Sequence, residues 1–207
     1  MKAEILITGG TIDISGIVDA PYSTILYLED DKHKILIDPG SFVVHSALEE
    51  KLTEKGLKTS EITDILLTHF HLDHAYNTIF FENATIYIHE AYKTKKYEKF
   101  GMIVGRLYTS VMKSWKKVNE LKGGEKLFDS IKVMHTPWHA KEHLSFIIET
   151  ENMGKIFLPG DICFTRLDYY EMYKGYRNDD VARFILEKSK EIDLIIFTHD
   201  RPLKPFS

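Results

Sequence analysis

Cysteine is almost absent. The one thiol, Cys163, cannot close an intrachain disulfide, so a disulfide-framed fold is excluded. No apolar run approaches the roughly 20 residues a helix needs to cross a bilayer. The opening MKAEILITGG has no signal-peptide apolar core. Together these point to a cytoplasmic protein with no membrane partner. An excess of positive charge is also missing. The formal net charge is −4 and the pI is near 6.2, so no global basic field recruits nucleic acid. No Pro/Gly/Ser-rich linker or low-complexity tract divides the chain. At 207 residues and 43% hydrophobic content, one sizeable core or two fused halves are within reach. Residues 1–207 are expected to form one domain. No elbow motif offers a serine or cysteine nucleophile.

Histidine is what the chain does have. There are ten, unevenly placed. The stretch THFHLDH, residues 68 to 74, packs three of them and an aspartate into seven positions.

Short β-type runs alternate with helical stretches. TILYLED (24–30), HKILIDPG (33–40), ITDILLTH (62–69) and ATIYIHE (84–90) read as strands. SALEEKLTEKG (46–56) reads as a helix with Ala47, Leu48 and Leu52 on one face and Gly56 as its stop. The second half repeats the rhythm. Strands are expected over 131–139, 144–150, 154–161 and 193–199, with a helix over 179–191 capped by Asp179 or Asp180. This order suggests two sheets packed between outer helices. Residues 91–122 hold nine Lys or Arg against two Glu, a local +7 that leaves −11 on the rest. Val104, Leu107, Val111, Trp115 and Val118 recur there at helical spacing, which predicts an amphipathic helix with a basic outer face.

His69 and His71 are two apart, so in extended chain both point one way. The chain then turns, and Asp73 and His74 swing to the far side of a common point. Imidazole and carboxylate suit Zn, and also Fe or Mn. Two ligands per ion are too few. His139, Asp161 and His199 supply more, each expected at the end of a later strand. Asp161 has two oxygens and can bridge two cations.

HFHLDH matches the HxHxDH signature, and the chain resembles the metallo-β-lactamase-fold hydrolases. The other elements follow in order: IDPG (Asp38 to Gly40), TPxH (Thr136 to His139), GD (Gly160, Asp161) and a terminal histidine. The resemblance implies an α/β (α+β) four-layer αβ/βα sandwich with two divalent metal ions at one edge. It implies His69, His71 and His139 on one metal, Asp73, His74 and His199 on the other, and Asp161 between them. Three positions depart from the usual pattern. Trp138 stands where glycine is usual, His199 sits in THD rather than GHG, and Asp161 stands where the lactamases proper use a cysteine. The last argues against β-lactam hydrolysis. His71 replaces the glutamate of the di-iron reductases, which favours hydrolysis over redox chemistry.

Two adjacent cations lower the pKa of a shared water to about 7. On this expectation a bridging hydroxide would attack, and Asp73 would orient it and then carry a proton to the leaving atom. The expected function is hydrolysis of an ester, thioester or lactone in a small substrate, anionic if the basic segment collects it, as in compact glyoxalase-II-like members. Phe164 replaces a tyrosine of the quorum-signal lactonases, which weakens the lactone reading. The alternative is a phosphodiesterase or nuclease, for which the basic 91–122 segment would serve. Asp38 is expected to form a turn or support a ligand. His143 is expected near the pocket or in a plain structural role, and His89 at the surface. Cys163 is expected in the core. The tyrosines of 167–176 are read either as a substrate mouth or as core packing.

Overall fold

A computed structural model describes residues 1–206. The chain opens with β1 (Lys2–Ile7), then a hairpin of β2 (Gly10–Ile14) and β3 (Val18–Tyr22), then β4 (Ile25–Glu29) and β5 (Lys34–Ile37). Helix α1 (His45–Glu54), β6 (Asp64–Leu66), the one-turn α2 (Leu72–Ala75) and β7 (Thr85–His89) follow. Next come α3 (Met102–Ser114), β8 (Lys117–Leu121), β9 (Lys126–Leu127), β10 (Ile131–His135), β11 (Leu144–Glu149) and β12 (Lys155–Leu158). The chain closes through α4 (Arg166–Tyr173), α5 (Asp180–Ser189) and β13 (Leu194–Ile195).

One sheet has the order β1-β4-β5-β6-β7-β8 and the other β13-β12-β11-β10-β9. Side-chain alternation explains the layering. Along β4, Ile25 and Tyr27 enter one apolar cluster while Leu26 and Leu28 enter another. Along β12, Ile156 and Leu158 face that same second cluster and Phe157 faces a third. Both faces of these strands are covered, so they read as continuous apolar runs. The three clusters are the seams between four layers: helices, sheet, sheet, helices. This is the αβ/βα sandwich expected from the sequence. Among the described residues no helix is long and apolar enough to cross a membrane.

Helix α1 ends as its sequence dictates. Gly56 has φ +70°, its N–H bonds Thr53 O, and Leu57 N–H bonds Leu52 O, both at 2.8 Å, a glycine-dependent stop. Leu48 and Leu52 are buried, but Ala47 is exposed and Val44 packs in its place. Asp179 caps α5, its carboxylate accepting from Ala182 N–H.

The expected helix through Val118 is corrected. α3 stops at Ser114, and residues 117–121 form an edge strand parallel to β7. Trp115, at the junction, packs its ring 4.7 Å from that of Phe70. Helical spacing persisted across the break because a half-buried ring and an outward valine happened to fall in phase.

Candidate metal centre

Parallel pairing of β5, β6 and β7 points their C-terminal ends to one rim. The chain leaves β6 there through Thr68–His69–Phe70–His71. Phe70 is fully buried, its ring within 5.1 Å of Tyr97 and Tyr108. That anchor turns His69 and His71 together toward the seam between the sheets. α2 starts directly after His71 and places Asp73 in its first turn and His74 in its last.

Two donor sets result. His69 Nε2 lies 2.8 Å from His71 Nδ1, and His139 Nε2 lies 3.1 Å from it. Asp161 Oδ2 is 3.6 Å from His69 Nε2 and 3.5 Å from His139 Nε2. On the other side, His74 Nε2 is 3.4 Å from Asp73 Oδ2 and 3.3 Å from Asp161 Oδ1. His199 Nε2 is 3.5 Å from the same Asp73 oxygen and 3.6 Å from the same Asp161 oxygen. Four donors about 2.1 Å from a tetrahedral ion stand about 3.4 Å apart. Both sets cluster around that separation, and each set lies within 4.8 Å overall. His74 Nε2 is fully buried without a hydrogen-bond partner and faces the second set. The donor sets fit two divalent cations, which His69, His71 and His139 on one side and Asp73, His74 and His199 on the other would hold, with Asp161 common to both sets.

The surrounding bonds fix which ring nitrogen faces inward. Thr68 Oγ1 donates to Asp38 Oδ2 at 2.7 Å, so at 3.0 Å it accepts from His69 Nδ1–H. His74 Nδ1–H donates to Asp38 Oδ2 at 2.9 Å. Asp38 therefore supports two candidate-ligand rings and belongs to neither donor set, consistent with its place in the IDPG turn. His199 Nδ1–H donates to Tyr22 O at 3.2 Å. Thr198 Oγ1 donates to Asp161 Oδ1 at 2.8 Å. Buried His143 accepts Asp161 N–H on Nε2 at 2.9 Å and bonds Thr136 through Nδ1. It orients the carboxylate.

Burial, reinforced by the His74 charge, holds His69 well below the usual histidine range. Burial and the nearby Lys95 ammonium lower His71 to about 3, and burial lowers His139. Neutral imidazole is the ligating form. For His74 burial works the same way, but the Asp161, Asp73 and Asp38 carboxylates outweigh it and raise its pKa well above the ordinary value. Burial pushes the Asp161 carboxyl up, yet His74 and His69 hold it well below the carboxylate range. The centre is acidic enough to call for positive charge, which a proton or a metal ion supplies.

Sequence order misjudged some supports. β10 ends at His135, so His139 sits on the turn beyond it rather than at the strand end. β13 spans only Leu194–Ile195, and His199 is placed by backbone contacts instead. Thr24 N–H bonds Thr198 O at 2.6 Å, and His199 N–H bonds Phe164 O at 3.1 Å. Gly9 lets these segments meet, since a Cβ there would stand 1.9 Å from Thr198 O. No flanking glycine is needed at THD. Trp138 turns outward onto Phe184, ring centroids 5.2 Å apart. His89 is buried, not at the surface, and stacks on His135 at 3.9 Å. Cys163 lies in the outer core. The rings of Tyr169, Tyr170 and Tyr173 pack on Phe206. Thr198 went unnoticed in the sequence, although a hydroxyl beside a candidate ligand is a usable signal.

Gly160 tests the local geometry. It has φ +66°, and a Cβ there would lie 2.4 Å from His143 Nε2. Gly160→Ala is expected to cost about 2 kcal/mol or more and to lower metal content, read by urea unfolding and metal analysis. A variant matching wild type in both would show that the His143–Asp161 contact is not needed.

The family model of the metallo-beta-lactamase superfamily matches residues 18–199. A solved Thermotoga maritima protein assigned to the metallo-beta-lactamases is 51% identical, covers 99% of each chain and superposes with a TM-score of 0.94. A dizinc quorum-quenching lactonase, solved with its N-hexanoyl-homoserine product, shares the fold at TM-score 0.70 and 17% identity, over 88% of this chain and 74% of that one. Among curated relatives, an N-acyl homoserine lactonase of Bacillus cereus is 24% identical over 72% of this chain, and the match spans 60% of the lactonase's length.

Proposed function

The chain belongs to the metallo-beta-lactamase superfamily, and on that premise we propose that it is a dinuclear metal-dependent hydrolase. The bond cleaved is of ester type, in an ester, thioester or lactone of a small substrate. The observation that carries this reading is the shared carboxylate: Asp161 turns one oxygen to each of two donor sets. His69, His71 and His139 hold one cation, and Asp73, His74 and His199 the other. The donors suit Zn and also accept Fe or Mn. Zn is favoured, as in the dizinc lactonase of the same fold. When bound, the two cations supply a water acidic enough to ionise near neutral pH and Lewis acidity toward a carbonyl oxygen.

The chain's own residues do the rest. Asp73 is partly exposed at the mouth, beside His199. Burial pushes its carboxyl up, but His74 outweighs this and holds it below the ordinary value. It is ionised at neutral pH, accepts a proton from the attacking water and passes it to the leaving atom. Phe164 stands over His139 and His199, ring centroids 5.6 and 6.1 Å away, and limits water at the reacting carbonyl. No thiol nucleophile competes, since Cys163 is buried and its pKa is driven up by burial.

The test is metal analysis, then a panel of thioester, lactone, carboxylester and phosphodiester substrates. Expected are two metal equivalents per chain and turnover of an ester-type bond, with His71→Ala reduced about a hundredfold or more. Turnover confined to phosphodiesters would replace this reading with the phosphodiesterase alternative. A His71→Ala protein as active as wild type would remove the metal mechanism.

A further inference from the structure

His71 lines two unlike recesses. One, of about 540 Å³, runs from His71 and His139 past Lys95, Lys96, Lys99 and Lys141. Lys95 is spoken for: its Nζ lies 2.8 Å from the buried Glu142 carboxylate and 3.4 Å from Phe70 O. Lys96, Lys99 and Lys141 are exposed, and among the described residues none has a carboxylate partner. Three free ammonium groups therefore rim a recess that opens onto the candidate ligands, in a chain whose net charge is −4. Uncompensated charge of one sign at the mouth of a cleft concentrates the opposite charge there.

The other recess, of about 820 Å³, leads away from His71 and Asp73 along Phe42, Val43, Val104 and Leu107, with Phe100 as the wall shared with the lysine recess. All five side chains are exposed, Phe42 at 54% and Leu107 at 37%. A contiguous apolar strip left open to water marks a binding groove. This one ends at the metal donors and Asp73, which assigns it to the molecule that reacts there.

We infer that the centre takes an amphiphilic ester whose scissile carbonyl lies at His71 and Asp73, with an apolar arm in the Phe42–Leu107 groove and an anionic arm on Lys96, Lys99 and Lys141. This rests on the hydrolase reading and names its substrate class. Charge in one recess and apolar surface in the other, both meeting at His71, fix the direction in which the substrate lies. A neutral or uniformly polar ester fills only half of the site. For a thioester, water adds across the acyl–sulfur bond, that bond breaks, and a carboxylic acid and a thiol leave.

Two non-cleavable probes separate this inference from catalysis: the S-hexyl thioethers of 2-mercaptoethanesulfonate and of neutral 2-mercaptoethanol. Sulfonate is a poor metal ligand, so its effect reports the lysines. By calorimetry on the metal-loaded protein, the sulfonate probe is expected to bind about tenfold more tightly at low salt, with the advantage shrinking as salt rises. The Lys96→Gln/Lys99→Gln/Lys141→Gln protein should bind both probes about equally. Val104→Asp should weaken both about tenfold at unchanged mass in solution. KM for the two hexanoyl thioesters should follow the same order. Equal affinities in the wild type, or a sulfonate advantage surviving the triple substitution, would overturn the inference. So would a Val104→Asp protein that changes oligomeric state at unaltered probe affinity, because the groove would then be a contact between copies. Selective probe binding without turnover of any thioester, carboxylester or lactone would support the two-armed site and refute the hydrolase reading.

Discussion

Asp161→Asn is expected to lower kcat/KM for the preferred ester about a thousandfold or more, ~4 kcal/mol of transition-state stabilisation, and to leave fewer than two metals per chain. The carboxylate is 4% exposed and lies 3.3 to 3.6 Å from the ring nitrogens of His69, His74, His139 and His199. Asparagine keeps the shape. Its amide oxygen still accepts from Thr198, and its backbone N–H still reaches His143. What is lost is the negative charge and the ability to offer an anionic oxygen to each donor set. Steady-state kinetics and metal analysis on protein with a wild-type circular dichroism spectrum check the prediction. Undiminished turnover with two bound metals would show that Asp161 does not join the sets.

Metal removal is expected to abolish turnover, leave the secondary structure in place and lower Tm by about 10 °C. An ion present at about a thousand times its Kd stabilises the folded chain by about 4 kcal/mol, and each kcal/mol moves Tm by about 2–4 °C at this size. The fold survives because its three apolar clusters lie in the seams between layers and do not depend on the donors. The loss concentrates at the rim, where Asp38, Asp73 and Asp161 surround His74 and a cation no longer balances them. Chelation followed by calorimetric melting and readdition of Zn checks this. Global unfolding on chelation would make the site a structural clamp.

The rim residues differ in how far the sequence alone revealed them. His69, His71, Asp73 and His74 were readable together because one short segment carries them through a strand end and a helix start. The layers were readable because strands covered on both faces show as unbroken apolar runs. Val118 misled because periodicity reports phase but not whether the backbone has changed from helix to strand. His139 and His199 were identified by type and order, but their supports were not. The supporting turn at 136–139 and the Thr24–Thr198 contact are built from residues far apart in the chain.

The amino-acid order by itself therefore determined the donor types, their order and the sandwich that presents them. Those depend on local periodicity and side-chain chemistry. Only the tertiary structure decided that His71 presents Nδ1 while the other candidate rings present Nε2, that Asp38 and His143 buttress the candidate ligands, and that a lysine-lined recess and an apolar one meet at one imidazole. Each of those outcomes depends on contacts between distant segments, such as the Thr24 hydroxyl on Phe197 O across 173 positions. Neighbouring residues carry no trace of such contacts.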